Sequence, residues 1–243
     1  MIRLDDVLGY KNLKIFQDSN FFSFSLDSIV LANYTRIRLR DRKIIDFCTG
    51  NAVVPLILSQ RCSHAIDCVE IQKSLSLLAS KSISVNNLND RISLYNMDVK
   101  DFCNISNNQS SYDLVLCNPP YFKNNVNSTK NIVYEKKVAR HEILISLEEV
   151  IRCAMRILKD NGCFSMVHRT DRLVEIIDLM KKYNLEPKSI KFVYQRVDSP
   201  SSLVLIQAQK NGKVGLTVEK PLILYKQDGS ISEEYSLIQN EVI

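Results

Sequence analysis

The sequence predicts a doubly wound α/β protein whose sheet is mostly parallel and carries a late antiparallel strand. Short apolar runs alternate with stretches of helical period along most of the chain. Several of these runs end abruptly on a polar residue, as buried parallel strands do. Two late apolar runs, residues 190–197 and 202–210, are separated only by turn residues, so we expect them to form an antiparallel hairpin.

The remaining elements follow from the same patterns. Apolar runs predict strands at residues 43–47, 65–70, 92–96, 113–118 and 163–168. Helical periodicity predicts helices at residues 27–37, 52–61, 72–88, 144–162 and 171–184. We expect Asp27 to cap the first of these helices and Gly162 to end the fourth.

The length favours a single domain. A chain of 243 residues can bury one sizeable core, and its 45% hydrophobic and 24% charged residues are ordinary for a globular protein. We divide it into a helical and aromatic extension at residues 1–40, a core at 44–210 and an appendage at 214–243. Aromatic residues of the extension, such as Tyr10 and Phe16, favour core packing, with a lid over the ligand as the alternative.

Charge and targeting signals narrow the function classes. The net charge of +5 permits a nucleic-acid partner without requiring one. The first residues, "MIRLDDVLGYKN", have acids where a signal peptide has a basic start and an apolar centre. No apolar run is long enough to cross a bilayer. We therefore expect a soluble, cytoplasmic protein.

The seven cysteines indicate free thiols in a reducing compartment. Five of them lie in or beside apolar runs, and none forms a CxxC or a Cys/His pair with metal spacing. The sequence therefore predicts neither a disulfide framework nor a metal site.

Polar side chains follow four of the predicted strands. The first strand runs into Asp46 and the turn Thr49–Asn51, and the others end at Glu70, Asp98 and Asn118. In an open α/β sheet, ligands bind outside the carboxyl ends of the strands. Backbone N–H groups followed by an acid about 20 residues later suit a ribose diol. Each signal is weak alone, because Glu70 could be a surface acid and Asp98 a helix cap.

The stretch "YDLVLCNPPYF" ends the fourth strand with an unusual polar group. Proline stops a strand, so a rigid loop start is the simplest interpretation. A chemical interpretation explains more. The Asn118 side-chain oxygen and the Pro119 carbonyl form a pair of acceptors, stiffened by Pro120, that suits the two N–H groups of a conjugated amine. Tyr121 and Phe122 could stack on an unpaired base.

These motifs carry a family resemblance. "DFCTGN", "VE", "NMD" and "NPPYF", in this order, resemble the class I S-adenosylmethionine-dependent methyltransferases of Rossmann-like fold that modify amino groups. "FSFSLDSIVLANY" and "VARHE" are similar, more narrowly, to the bacterial tRNA1(Val) (adenine-37-N6)-methyltransferase family. The late stretch "VYQRVDSPSSLVLIQAQKNGK" also fits that family. The resemblance spans about residues 22–210.

The resemblance implies S-adenosyl-L-methionine as the cofactor and assigns residues to it. Glu70 would bind the ribose hydroxyls and Asp98 the adenine amino group. The full set implied to bind the cofactor is Asp46, Thr49, Gly50, Asn51, Glu70, Ile71, Asp98, Val99 and Asn118. Asn118, Pro119, Pro120 and Tyr121 would hold the target base. The chain departs from the family where Cys48 and Ala52 stand at positions often occupied by glycine.

Basic residues suggest where RNA binds. A lysine-rich loop follows the asparagine motif, and phosphate contacts are the favoured interpretation of its cations. With Tyr121 and Phe122, the substrate-binding residues we predict are Lys123, Lys136, Lys137 and Arg140, and Lys130 lies in the same loop. A second basic group follows the fifth strand and is interpreted as a solvated surface: Arg169, Arg172, Lys181 and Lys182.

The resemblance thus implies N6 methylation of an adenine in tRNA, at adenine 37 in the anticodon loop of tRNA1(Val), by a protein we expect to be monomeric. Alternatives are methylation of a glutamine amide in a release factor, or of rRNA. The first usually has a longer domain ahead of the first strand, and only about 40 residues precede it here. A DNA methyltransferase would need a recognition insertion, and a non-enzymatic RNA-binding module would not need intact Asp46, Glu70, Asp98 and Asn118.

Overall fold

The computed structural model describes residues 1–19, 26–120 and 145–240. The strands are β1 (Ile2–Val7), β2 (Tyr10–Asp18), β3 (Lys43–Phe47), β4 (Ala65–Val69), β5 (Ile92–Tyr95), β6 (Tyr112–Cys117), β7 (Leu158–Arg169), β8 (Leu185–Tyr194), β9 (Ser201–Lys210), β10 (Thr217–Val218) and β11 (Leu222–Ile223). The helices are α1 (Leu26–Tyr34), α2 (Val53–Arg61), α3 (Lys73–Val85), α4 (Val99–Asn104), α5 (Leu147–Ile157), α6 (Leu173–Lys182) and α7 (Glu233–Asn240).

One large sheet organises the fold. Its strand order is β10-β8-β9-β7-β6-β3-β4-β5, and β11 also pairs with β8. Strands β3 to β7 pair in parallel, whereas β9 runs antiparallel to both β7 and β8. The predicted fold class, a mostly parallel sheet with a late antiparallel strand, is confirmed.

The chain reverses its direction of winding at β3. It passes from β3 to β4 and β5 on one side and then returns to β6 and β7 on the other. Phe47, the last residue of β3, lies opposite both Val69 of β4 and Cys117 of β6. The three strands therefore end level with one another, at the switch point where open α/β sheets bind ligands.

Both faces of the sheet are covered, as a parallel sheet requires. Ile44 packs into a core formed with α1, α2 and α3, whereas its neighbour Ile45 packs into a second core with α4, α5 and α6. Successive residues of β3 therefore point to opposite, fully buried faces. This explains why Ile44, Ile45 and Phe47 of the strand are all apolar.

The N-terminal residues differ from the predicted helical extension. β1 and β2 form an antiparallel hairpin, which packs against α3. The backbone N–H of Phe16 donates to Ser82 Oγ at 2.9 Å, and that of Lys14 donates to Asn86 Oδ1 at 2.9 Å. The hairpin was missed because alternation over Leu13 and Ile15 is short and its pairing partner is polar.

Three predicted helix ends are wrong. Asp27 lies inside α1 and is not its cap, and α1 ends at Tyr34. Helix α5 ends at Ile157, and Gly162 lies within β7. The cause is that Leu158 pairs with Tyr112 of β6 in extended conformation, so the chain joins the sheet four residues earlier than the glycine signal indicates.

The C-terminal segment extends the sheet. β10 and β11 both add to β8 in parallel, and a turn at Asp228–Gly229 joins bridged residues Tyr225 and Ile231. Leu222, Leu224 and Tyr235 are buried in the core shared with α1. The predicted turn is confirmed, and the segment is bound to the core by apolar contacts.

All seven cysteines are free. Within residues 1–19, 26–120 and 145–240, no group of three or more Cys, His, Asp and Glu side chains could hold a metal ion. No helix in that same part of the chain has the length and apolar character to cross a bilayer.

A buried hydroxyl should stabilise the centre of the sheet. Tyr112 is 1% exposed, and its hydroxyl donates to Asp67 Oδ2 at 2.6 Å. We expect Tyr112→Phe to lower the free energy of unfolding by about 1–3 kcal/mol, because the partly buried Asp67 loses a charge-assisted hydrogen bond from a buried donor. Urea unfolding measures this change.

The matched control is Tyr183→Phe. The Tyr183 hydroxyl donates to Glu148, whose carboxylate keeps its bond from Lys182. Its loss should change the free energy of unfolding by less than about 0.5 kcal/mol. Equal effects of the two substitutions would contradict the structural role of the Tyr112 hydroxyl.

Candidate active site

The loop between β3 and α2 has a strained backbone. Cys48, Gly50 and Ala52 have φ of 56°, 61° and 71°. These values lie in the left-handed region, which costs a residue with a side chain about 1–2 kcal/mol. Cys48 and Ala52 therefore follow the path that glycine would favour, at a cost in stability. Strain of this kind is concentrated at functional sites.

Asp46 is a buried carboxyl group at the floor of this loop. It is 1% exposed, and its Oδ2 has no hydrogen-bond partner. Burial, partly offset by the nearby Thr49 hydroxyl and reinforced by the Glu70 charge, raises the pKa of Asp46 to about 8. Thr49 Oγ1 is also buried without a partner. Two buried polar oxygens without partners suit a hydrogen-bonding ligand, and a cationic N–H donor such as an ammonium group would favour the ionised form of Asp46.

Glu70 joins two backbone segments at the sheet edge. Its Oε2 accepts from the N–H of Gly50 at 2.9 Å and its Oε1 from that of Gln72 at 2.8 Å. The residue is only 4% exposed, so its interpretation as a surface acid is wrong. Each carboxylate oxygen can accept further hydrogen bonds, so the group can still bind hydroxyls.

Asp98 begins α4 and caps it. Its carboxylate accepts from the backbone N–H of Lys100 at 2.7 Å, so the alternative of a helix cap is correct. Capping uses one oxygen and leaves the residue at the strand edge. Val99 beside it is 6% exposed, whereas Ile71, which follows Glu70, is 45% exposed. An exposed isoleucine at this edge offers an apolar surface for a flat ligand.

Asn118 follows β6 at the same edge. Its Nδ2 donates to Ser28 Oγ of α1 at 2.9 Å, which fixes the end of the amide that donates. Pro119 is buried and Pro120 exposed. Sequence reasoning missed Ser28, because it lies 90 residues from Asn118 in the chain. No pattern in the sequence marks it, since it stands in an unbroken run of buried residues of α1.

The hairpin also reaches the site. Asn51 Nδ2 donates to the carbonyl of Phe16 in β2 at 3.2 Å, and Asn51 is 8% exposed. The loop of β3 is therefore supported from the N-terminal side. Tyr10 of the same hairpin is 3% exposed and packs in the core, as predicted, whereas Phe16 is partly buried outside both cores, with Lys81 Nζ 5.9 Å from its ring centre.

The basic residues divide into the predicted RNA-binding loop and a second group interpreted as a solvated surface. Tyr121, Phe122 and the basic residues Lys123, Lys130, Lys136, Lys137 and Arg140 lie outside the described residues. The second group consists of paired surface charges: Arg169 with Asp171, Arg172 with Glu175, Lys181 with Glu186 and Lys182 with Glu148. Its interpretation as a solvated surface is supported.

Solved structures with the same fold are methyltransferases. A predicted O-methyltransferase from Agrobacterium tumefaciens matches with a TM-score of 0.69 at 19% identity, over 88% of this chain and 96% of that chain. TYW2 from M. jannaschii in complex with AdoMet matches with a TM-score of 0.59 at 12% identity, over 86% and 85% of the two chains. The fold is that of the S-adenosylmethionine-dependent methyltransferases.

Sequence comparison identifies the family. The chain belongs to the methyltransferase small domain family, whose model matches residues 12–193. A relative from Parabacteroides distasonis is 24% identical over 96% of this chain and 95% of its own length. One from Pectobacterium carotovorum is 28% identical over 86% and 82%. Both relatives are named tRNA1(Val) (adenine(37)-N6)-methyltransferase.

The raised pKa of Asp46 predicts a pH dependence of stability. Folded Asp46 keeps its proton up to about pH 8, whereas an unfolded aspartate loses it near pH 3.8. The folded state therefore binds the extra proton between these values, and stability falls as the pH rises through that window. Asp46→Asn removes the titration. The variant should be more stable than the wild type. The difference between their free energies of unfolding should grow by more than about 1.4 kcal/mol from about pH 5 to pH 8.

Urea unfolding of both proteins at the two pH values checks this prediction. Asp113→Asn is the matched control. Burial alone would raise the pKa of Asp113, but hydrogen bonds from Lys159 and from the backbone N–H groups of Arg42 and Lys43 lower it. Asp113 is therefore ionised across this pH range. The difference in free energy of unfolding between Asp113→Asn and the wild type should be the same at both pH values. A flat difference for Asp46→Asn would show that Asp46 is ionised in the fold.

Proposed function

We propose that this protein transfers a methyl group from S-adenosylmethionine to N6 of an adenine in tRNA, at position 37 of the anticodon loop of tRNA1(Val). The observation that carries the proposal is Asn118, an oriented amide that ends β6 beside the level ends of β3 and β4. The names of relatives that match most of the chain support the substrate. We propose that the chain acts as a monomer in the cytoplasm.

The cofactor supplies a methyl group activated by its positively charged sulfur. Asp46 and Thr49 offer unpaired buried acceptors that suit its ammonium group, with the backbone of Gly50 and Asn51 beside them. Glu70, anchored by two backbone N–H groups, would accept from the ribose hydroxyls. Asp98 would accept from the adenine amino group, between the side chains of Ile71 and Val99.

The chemistry assigned to this chain is the positioning of a weak nucleophile. The lone pair of the adenine amino nitrogen is delocalised into the ring. Acceptors at Asn118 Oδ1 and the Pro119 carbonyl, aimed at its two N–H groups, would draw the nitrogen toward tetrahedral geometry. The cofactor would supply the methyl carbon: a nitrogen–carbon bond would form as the carbon–sulfur bond breaks, and the electron pair of the broken bond would stay on sulfur. The alkylated nitrogen is acidic and releases its proton to water, so no strong base is needed.

The target base must leave its stack to reach this edge. Tyr121 and Phe122 follow Pro120 in the sequence and suit stacking on an extruded adenine. Lys123, Lys136, Lys137 and Arg140 suit contacts with phosphates of the anticodon loop.

Labelled methyl transfer from S-adenosylmethionine tests the substrate class. The acceptors are an unmodified tRNA1(Val) transcript, the same transcript with guanine at position 37, rRNA, duplex DNA and a release-factor protein. We expect label only in the first, recovered as 6-methyladenosine. Label in the release factor would support methyl transfer to an amino group but show that the substrate is a protein. Equal label in both transcripts would show that adenine 37 is not the methylated base.

The acceptor mechanism predicts a separation of catalysis from cofactor binding. Asn118→Ala should lower kcat by about 100-fold or more, because a preorganised acceptor contributes that much to a transition state. The affinity for S-adenosylhomocysteine, measured by calorimetry, should change less than about threefold. Near-normal turnover of the variant would contradict the mechanism.

Ser28 is expected to act as a positioning residue through Asn118. Ser28→Ala removes the acceptor that orients the amide, so kcat should fall by about tenfold, with KM for the cofactor unchanged. Ser59→Ala is the matched control, since its buried hydroxyl bonds the Leu56 carbonyl within α2. Equal rates in the two variants would remove Ser28 from the site.

A further inference from the structure

A basic groove lies between α4 and α5, and none of the residues that line it has been assigned to the site so far. It encloses about 290 Å³ and is lined by Lys100, Cys103, Asn104, Arg152, Cys153 and Arg156. Cys103 and Cys153 form a buried, apolar floor, and the three cations and Asn104 form the walls. The volume is at the lower limit of ligand pockets, about 300 Å³, so it suits a small group better than a nucleotide.

The cations of this groove are incompletely neutralised. Lys100 Nζ lies 3.5 Å from Asp98 and 3.6 Å from Glu149, at one end of the groove. Arg156 Nη1 donates to Asn104 Oδ1 at 2.7 Å, a neutral partner. Arg152 makes no ion pair with any residue in the described part of the chain. The groove is therefore positive at its arginine end.

The two acids about one turn before Arg152 already have partners, and the first of them, Glu149, accepts from the backbone N–H of Ser146 and lies 3.6 Å from Lys100. The second, Glu148, accepts from Lys182 and from the Tyr183 hydroxyl. Arg152 and Arg156 stand four residues apart on the same helix, where like charges repel by about 0.2–0.5 kcal/mol. The cations of α6, by contrast, each have an acidic partner. An anion between the two arginines would relieve the repulsion.

The groove begins at the edge of the sheet that carries the site. Lys100 lies two residues after Asp98, in the first turn of α4. The six residues of α4 extend about 9 Å from this edge, at 1.5 Å per residue. A chain of phosphates leaving the site could therefore enter the groove. Arginine is suited to phosphate because its fork of N–H donors matches two phosphate oxygens.

We propose that the groove between α4 and α5 binds a backbone phosphate of the RNA whose base enters the active site. Arg152 and Arg156 hold the phosphate oxygens, and Lys100 supports them from the edge of the sheet. This inference rests on the proposed function, because it names a second contact for the same substrate. Phosphate contacts are otherwise proposed only for the loop that follows Phe122. The groove would place a further phosphate contact on α4 and α5.

The test is RNA binding by the full chain at several salt concentrations. The probe is a fluorescein-labelled, unmodified anticodon stem-loop of tRNA1(Val), followed by anisotropy. Arg152→Gln/Arg156→Gln removes both charges and keeps residues that favour helices. We expect Kd to rise by about tenfold or more, and the slope of log Kd against log salt to fall by about 1. S-adenosylhomocysteine affinity should be unchanged.

Two further variants separate charge from folding. Arg152→Lys/Arg156→Lys keeps both charges and should keep most of the salt slope. Arg172→Gln/Lys181→Gln removes two paired cations elsewhere and should change Kd less than about twofold. Thermal unfolding of each variant verifies that it is folded. If the loss of the hydrogen bond between Arg156 and Asn104 destabilises the double variant, the single variant Arg152→Gln replaces it in the binding measurement.

The outcomes distinguish this inference from the function on which it rests. One outcome is that the wild type binds and methylates tRNA while Arg152→Gln/Arg156→Gln keeps the same salt slope. This result would contradict phosphate binding in the groove and leave the proposed function standing. A wild type that neither binds nor methylates tRNA would overturn both. An equal rise in Kd in Arg172→Gln/Lys181→Gln would show that any loss of positive charge weakens RNA binding. This result would contradict a specific phosphate site in the groove.

Discussion

The parallel register of β3 with its two neighbours is the constraint on which the site depends. Phe47 lies opposite Val69 on one side and Cys117 on the other, so the next residues of all three strands emerge at one level. The carboxyl of Glu70 then bonds the loop that follows β3. A slip of one residue in either pairing would turn the whole strand to the other face and separate these groups.

The site is maintained against local costs in stability. Asp46 is a carboxyl group inside the sheet, and Cys48 and Ala52 hold left-handed backbone conformations. These features destabilise the free protein, and cores on both faces of the sheet compensate for them. A ligand with an ammonium group would supply the partner that Asp46 Oδ2 and Thr49 Oγ1 lack. Binding energy and fold stability are thus linked at one loop.

Much of this could be predicted from the sequence, because strands buried on both faces are apolar and end where polar residues begin. The positions of Glu70, Asp98 and Asn118 at one edge follow from that pattern. Ser28 could not be found, since its contact with Asn118 depends on how α1 packs. The hairpin and the end of α5 were missed because pairing with distant strands overrode local signals, as Leu158 shows at β7.

A crystal structure with S-adenosylhomocysteine is the most direct test of the site at this edge. The account predicts ribose hydroxyls within about 2.5–3.0 Å of the Glu70 carboxylate. It places the ammonium group beside Asp46, and the sulfur on the side of Asn118. A ligand bound elsewhere, or one whose ribose has no contact with Glu70, would contradict the assignment of this sheet edge as the catalytic centre.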